Sequence, residues 1–514
     1  MGKIIPFKID RFDLGMTNNL RESFLLSPLV KNFDITQKRN ALIPSNSTVS
    51  GDSDPATHKI VKMVPYEWNG SSVTPTIYGL GQTTDFVKIY RNEDFYVNGG
   101  TGVWTALANG ESGSGLLSTQ VFFEYHGLLF GLRAGTSIWK CDALGGAAFT
   151  EVDGSVTYTH ACQGIVHSRD DIAYLGTYNG ANGTAKISSK NDSAAWTISA
   201  LTLPKYTKPV SLIEDGNYLG IGVRPASGIG KSTYFLWDRD SSLTTLSDKI
   251  DFGYGMLYAL GKIDDIVFGV SVVGDTTTQK RKIIIRYWSG SGSEAQILAQ
   301  FDFAITDQVP QVYNMIKVDK KLLFGVRATL NGQDCGGIWA ISKNKNGTFS
   351  VYIDRLVDNN TAVGNTTEID GILQYGDIFL SALHTDATYE ITRTNDQLAF
   401  ASTSTYETTV WDADDKRKTK EMRGITVETE PLPVNASYTL SYKVDADTGW
   451  TDIFTETNTG TPSNPSITRT ATTLEGTGAI LPKGKEIRFR ITSIYGAVIT
   501  GFYGKAELME DDKY

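Results

Sequence analysis

"IDDIVFGV" at Ile263–Val270 and "DKKLLFGV" at Asp319–Val326 each place a tight polar turn before a short apolar strand, and this pair decides how the chain is read. The same turn and strand recur in "NEDFYVNG", "YHGLLFGL", "RDDIAYLG", "EDGNYLGIG" and "YGDIFLSA". Anchored on Phe95, Leu128, Ile172, Tyr218, Ile266, Leu322 and Ile378, the seven copies lie 33, 44, 46, 48, 56 and 56 residues apart. Repeats of about 40–50 residues have the length of one propeller blade, a unit that cannot bury its apolar faces without neighbours.

A second strand follows the anchor in most copies. In five it carries an apolar residue and then tryptophan: Val103-Trp104, Ile138-Trp139, Leu236-Trp237, Tyr287-Trp288 and Ile338-Trp339. Ile187 and Ile391 take the corresponding strand in the other two. After it come "SKNDSAAW" (Ser189 to Trp196) and "SKNKNGTF" (Ser342 to Phe349), read as hairpin turns before the alternating strands "WTISAL" and "FSVYID". Ser and Asn bond their own backbone in such turns, and the aromatic at position eight is expected to tuck back into the blade. The turn resembles a degenerate Asp-box, with Asn191 and Asn344 in place of aspartate and Ser193 and Asn346 in place of glycine. The sequence therefore predicts an all-β protein with a seven-bladed β-propeller over residues 61–404. A stack of separate β-sandwiches is the alternative, but a closed ring better protects strand edges.

Composition agrees with a strand-rich chain. Among 514 residues, 20% are charged and there are 51 Gly, 24 Tyr and 22 Phe. The net charge of -9 argues against a broad basic face for nucleic acid, and the runs "QKRK" and "DKRKTK" are too short to supply one. Cys141, Cys162 and Cys335 form no C-x-x-C pair, so neither a disulfide scaffold nor a metal knuckle is expected. The charged start "MGKIIPFKIDRFDLG" lacks a signal-peptide core, and no apolar run reaches the ~18 residues of a membrane span. Synthesis in a cytoplasm and no membrane span are the expectations.

Outside the repeats the chain changes character. Residues 1–60 mix the apolar anchors Phe7, Phe12, Phe24, Leu25, Leu29 and Phe33 with Gly, Pro, Asn and Ser. A short helix is plausible near Asn18 to Leu25. Such a segment cannot bury its anchors alone, and the expectation is an extended arm docked on its own propeller or on a neighbouring subunit. Residues 405–421 read as a charged connector. Residues 422–514 alternate in "SYTLSYKVD" and "EIRFRITS", the pattern of a compact β-sandwich.

The search for chemistry is mostly negative. His58, His126, His160, His167 and His384 are widely spread, and a zinc reading of His160, Cys162 and His167 lacks a fourth ligand. There is no G-x-S-x-G, Walker loop or H-E-x-x-H, and "GLGQTTD" and "GIGVRPASGIGKS" read as loops. A sialidase-like glycan hydrolase would need an arginine cluster with a nucleophile and base. Arg133, Arg224, Arg286 and Arg327 with Asp170 and Glu214 are the candidates. Because Arg133, Arg224 and Arg327 follow equivalent strands, they read as packing or channel lining. No catalytic, cofactor or metal residue is assigned, and no cofactor is expected.

The arm "IDRFDLGMTNNL", the propeller of weak repeats and the C-terminal stretch "KEMRGITVETEPLPVNASYTLSYKVDADTGWTDI" together resemble structural proteins of tailed-bacteriophage virions, of the tail nozzle, hub or tail-tip type. The resemblance implies a non-enzymatic virion tail component. It implies a homo-oligomeric ring, commonly of six subunits in nozzles, around a DNA passage without sequence-specific binding, in contact with other tail proteins. An acidic passage would repel DNA and let it slide. The alternatives are a receptor- or glycan-binding tail module, with Trp450 and Tyr495 as exposed aromatics on the sandwich, and the propeller hydrolase.

Overall fold

The computed structural model describes residues 3–9, 11–12, 14–16, 27, 29–31, 33–35, 42–44, 48–52, 59–66, 76–82, 86–92, 104–106, 111–112, 121–133, 137–141, 151–192, 194–227, 230–242, 245–274, 281–303, 311–330, 333–344, 346–356, 368–376, 378–384, 389–394, 403–413, 415–458, 468–472 and 481–509. Among them every regular element is a β-strand, and nearly all strand pairs are antiparallel. No helix among the described residues is long and apolar enough to cross a membrane. The chain divides into two compact units, one of residues 49–336 and 359–394, the other of residues 1–48, 337–358 and 395–514.

In the larger unit the turn-and-strand repeat becomes the second strand of a series of small sheets. Leu128–Arg133, Ile172–Asn179, Tyr218–Pro225, Ile266–Val273, Lys321–Arg327 and Ile378–His384 begin at or next to the anchors. The first turn residue is left-handed at His126 (φ 50°), Gly216 (61°), Asp264 (50°), Asp319 (52°) and Gly376 (56°). Glycine adopts that conformation freely and Asp and His more readily than most residues, which is why these turns are legible as sequence. Phe95 lies outside the described residues. The strand that takes the expected place in the first sheet is Thr76–Gln82, paired with Lys59–Tyr66. Nine residues separate these two strands, so the tight-turn signature is missing there.

Each anchor strand pairs with a preceding strand that the sequence pattern did not isolate: Phe122–Tyr125, Ile165–His167, Thr207–Asp215, Met256–Ile263, Gln311–Val318 and Glu368–Tyr375. In five of these first strands, counting Lys59–Tyr66, the register slips by one residue, at Val61, Val210, Tyr258, Asn314 and Asp370. A one-residue bulge swaps the faces of everything beyond it, so the strand shows no clean alternation.

The first strands pack against one another in chain order, Thr207–Asp215 on Met256–Ile263, that on Gln311–Val318, and that on Glu368–Tyr375. The last of them returns against Lys59–Tyr66. This seam is close, since a Cβ on Gly371 would lie 2.9 Å from the carbonyl oxygen of Ile60 and 3.4 Å from the nitrogen of Lys62. Thr48–Asp52, from early in the chain, is the outermost strand of the sheet formed by Glu368–Tyr375, Ile378–His384 and Tyr389–Thr394.

The tryptophans of the third strands fall into two registers. Trp237 and Trp288 lie opposite Leu219 and Val267, one residue from the tight turn, whereas Trp139 and Trp339 each follow a bulge. The two "SKN" stretches do join third to fourth strands, Thr184–Asn191 to Thr197–Leu203 and Gly337–Lys343 to Phe349–Leu356. Trp196 packs edge-on against Phe130 of the preceding sheet, at 6.0 Å between ring centres, in a core cluster that also holds Ala173 and Leu175 of its own sheet. The turns also differ, because Asn344 is buried and donates to Thr348 Oγ1 and Ser350 Oγ while Asn191 is exposed.

The smaller unit corrects the reading of residues 1–60 as a docking arm. Ile4–Ile9 pairs along its whole length with Ile499–Leu508, and Leu29–Lys31 inserts between Phe349–Leu356 and Thr403–Glu407. One sheet runs Ile4–Ile9, Ile499–Leu508, Lys420–Thr429, Thr468–Thr472, and the other continues from Thr403–Glu407 through Ile487–Ile494 and Ser437–Val444 to Thr451–Thr457. Their apolar faces meet at Phe7, whose ring lies 5.0 Å from Trp411, 5.4 Å from Phe489 and 5.3 Å from Phe502. Phe7 sits opposite Gly504, where a Cβ would strike its ring. Phe12, Leu29 and Phe33 are also buried, so these anchors need no neighbouring subunit. Phe24, Leu25 and the helix expected at Asn18 to Leu25 lie outside the described residues.

The expected connector is likewise part of this core: Thr408, Thr409, Trp411 and Lys420 are buried, and Lys420 Nζ donates to the Lys485 carbonyl oxygen at 2.7 Å. Glu407 is buried between Arg488 and Arg490, and Glu421 pairs with Arg423 and Lys483, so part of its charge is built into the unit.

Two stability outcomes follow from these contacts. Phe7→Ala removes a buried ring from the meeting of both sheets and is expected to cost about 3–5 kcal/mol in urea unfolding of the smaller unit. Gly371→Ala is expected to destabilise the larger unit by about 1–3 kcal/mol, because the backbone of Ile60 has no side-chain freedom with which to yield. A loss under about 0.5 kcal/mol at Gly371 would show that the seam is not closed as described.

Candidate functional site: a cationic central cavity

Five of the first strands of the larger unit line a cavity of about 800 Å³. Its ionisable lining comprises Lys62, His160, Glu214, Arg224, Tyr258, Lys262 and Lys317, among apolar walls that include Leu212, Leu260 and Met315. Counting four cations against one carboxylate, the described lining carries a charge of +3 in a chain whose net charge is -9.

The bulges place several of these groups. Lys62 follows the slip at Val61 and projects from the seam strand. Among the described residues no carboxylate reaches it, and burial alone lowers its pKa to about 8. Tyr258 is itself a bulge residue, and the Arg224 guanidinium carbon stands 4.7 Å above its ring. Arg224 Nε is buried with no hydrogen-bond partner, and burial pulls its pKa down, opposed by Tyr258.

The other groups are engaged. Lys262 Nζ contacts Asp215 Oδ1 at 2.5 Å, and Asp215 accepts the Tyr234 hydroxyl at 2.7 Å. Glu214 accepts from the Ser168 backbone N–H and from its hydroxyl. His160 Nε2 lies 2.9 Å from the Pro209 carbonyl oxygen. Burial first, and then the nearby charge of Arg224, lower the His160 pKa to about 4, so the ring is neutral at pH 7. Cys162 beside it is buried, and its thiol is pushed up to about 12, which leaves it protonated and unreactive.

The structure separates the residues considered for a hydrolase. Arg224 and Glu214 line the cavity, but Arg286 is on a third strand, buried beneath Gly253, and Arg327 contacts Glu368 Oε1 at 2.5 Å. Arg133 ends its strand as expected, though its side chain is outside the described set. Asp170 is ion-paired to Arg239 and accepts the Tyr174 hydroxyl. The proposed His160, Cys162 and His167 trio is not one cluster, because His167 is buried against the Tyr218 carbonyl oxygen and Arg239. His126 sits by Asp171 at 2.8 Å, and His58 is not among the described residues.

One acidic cluster escaped the sequence. Glu368, Asp370 and His384 bring ligand atoms within 4.8 Å of one another. Glu368 and His384 are cross-strand partners and Asp370 is the bulge residue between, a register no sequence signal announces. His384 Nδ1 shares a 2.5 Å contact with Asp370 Oδ2, and Arg327 pairs with Glu368.

No protein-family model and no curated protein matches the sequence. Among solved structures, an exo-β-1,3-galactanase of Phanerochaete chrysosporium is 12% identical with TM-score 0.31, covering 90% of this chain and 99% of that one. Trypanosoma rangeli sialidase is 9% identical with TM-score 0.35, covering 98% and 95%. Hydrazine synthase of Kuenenia stuttgartiensis is 10% identical with TM-score 0.42, covering 65% and 98%. Likeness at this level carries no inference about activity.

The depressed His160 pKa has a measurable consequence. Between its ordinary value near 6.5 and about 4, the unfolded chain takes up a proton that the folded chain refuses, so folding stability falls as pH drops through that window. Thermal denaturation between pH 7 and pH 4 should show a smaller decline in His160→Gln than in the parent protein.

Proposed function

We propose that the chain is a seven-bladed β-propeller joined to a β-sandwich built from both chain ends, and that it serves as a structural, non-enzymatic component of a tailed-phage tail. The observation that carries this reading is the way both units are closed. Ile4–Ile9 pairs with Ile499–Leu508, and Thr48–Asp52 completes the sheet ending at Tyr389–Thr394. Opening either unit requires stripping a strand whose partner is hundreds of residues away, a barrier that favours slow unfolding over easy reversibility. That property suits a part that must persist under load.

Two further observations weigh against the other classes. A glycan hydrolase of the two-carboxylate kind is disfavoured, because Glu214 is the one carboxylate among the described lining residues and is held by Ser168. A glycan platform on the sandwich needs open aromatic faces in one place. Trp450 is instead crowded by Arg490, Lys443 and Arg488 at 4.2, 5.0 and 5.5 Å, and Tyr495 follows the far end of the Ile487–Ile494 strand.

The proposal retains a homo-oligomeric ring around a DNA passage, but its contacts would come from surfaces other than residues 1–48. The central cavity, being cationic, would not be the acidic passage the net charge suggested.

Electron microscopy of purified virions with gold-labelled antibody to this protein tests the reading. Label concentrated at the tail is the expected result, with density for several copies arranged about the tail axis. Virions that lack the protein while infected lysates contain it would overturn the assignment.

A further inference from the structure

We propose that the central cavity of the larger unit is a binding site for a small phosphate-bearing ligand, held between Lys62 and Arg224. This inference rests on the cavity alone and stands whether or not the virion reading holds.

The case begins with what the cavity leaves unbalanced. Lys262 has Asp215, and Glu214, though still charged, is directed to Ser168 and forms no ion pair with Lys62 or Arg224. Lys62 and Arg224 are therefore cations drawn partly out of water with no carboxylate of the described chain beside them. An uncompensated cation in such a place costs folding free energy, and an anion entering the cavity would recover it. Lys317, exposed at the same cavity, adds a third positive group.

Shape adds a second argument. The Arg224 guanidinium carbon lies 4.7 Å from the centre of the Tyr258 ring, and its Nε is buried without an acceptor. A planar fork and a lysine on the wall of one cavity offer donors suited to the oxygens of a tetrahedral oxyanion. With Lys262 paired to Asp215, Lys62, Arg224 and Lys317 against Glu214 leave an excess of two positive charges, more than one carboxylate would neutralise, which favours phosphate over a monocarboxylic acid. About 800 Å³ accommodates a ligand of nucleotide or sugar-phosphate size, with apolar wall at Leu260, Val312 and Met315 for its body.

Calorimetry on the full chain at pH 7 provides the test, with pyrophosphate as probe and citrate as a carboxylate of comparable charge. The expected result is one site for pyrophosphate, weaker binding of citrate, and about a tenfold loss of affinity in each of Lys62→Met and Arg224→Gln. Lys62→Met removes an uncompensated charge and is expected to melt no lower than the parent without ligand, which separates a binding role from a structural one. Lys317→Ala, at an exposed position, supplies a variant whose folding is not in question and is expected to weaken binding by a few-fold.

Sulfate, whose charge is the same at pH 7 and pH 9, should bind less well at the higher pH in the parent. Lys62→Met should lose most of that change. Absence of binding by millimolar pyrophosphate, equal binding by all three variants, or citrate binding as tightly as pyrophosphate would each overturn the proposal.

Discussion

The close approach of Gly371 to the backbone of Ile60 and Lys62 is the constraint on which the larger unit depends. It is the place where the last first strand meets the earliest one, and a side chain there would hold them apart. At the seam the last sheet packs on the earliest, and five of the first strands line a common cavity. Lys62 belongs to the same seam, so the contact that closes the unit also carries a cation to the cavity wall. Packing and electrostatics are thereby set by one backbone approach.

The bulges do a comparable job around the rest of the cavity. A regular strand presents alternate residues to the two faces of its sheet, and a one-residue slip lets two successive side chains escape that rule. Tyr258 and Asp370 occupy slips at matching places in their strands, yet one supplies a platform for Arg224 while the other closes a charge network with His384. The repeat fixes where a side chain is displayed, and local sequence decides what is displayed there.

This also explains what could be read from the chain. The anchor strands were legible because a left-handed turn residue and a following "FGV"-like run are both written in sequence, as at Asp264 and Asp319. The "SKN" turns were placed correctly between third and fourth strands for the same reason. The first strands were not separated, because bulges at Val61, Val210, Tyr258, Asn314 and Asp370 destroy the alternation by which strands are recognised.

The cavity was legible only in part. Arg224 was singled out, but as one of a set of matching arginines, and the structure sends Arg327 to Glu368 and Arg286 beneath Gly253. Lys62 drew no notice, since nothing in "KIVKMVPY" distinguishes a desolvated lysine from a solvated one. Residues 1–48 were misread for a different reason. Their apolar anchors are real, but the partner of Phe7 is a glycine that precedes the end of the chain by ten residues, and no local pattern connects the two.

That pairing bears on how the protein is made. The strand carrying Phe7 is synthesised long before its partner Ile499–Leu508. At about 5–20 residues per second, the roughly 490 residues between them take on the order of 25–100 s to translate. During that time the Phe7 strand has no native partner, while sheets such as Thr207–Tyr254 are assembled wholly from neighbouring sequence and can form as they emerge. The smaller unit therefore cannot be completed until Ile499–Leu508 has been synthesised, and until then Phe7 lacks the surface that buries it.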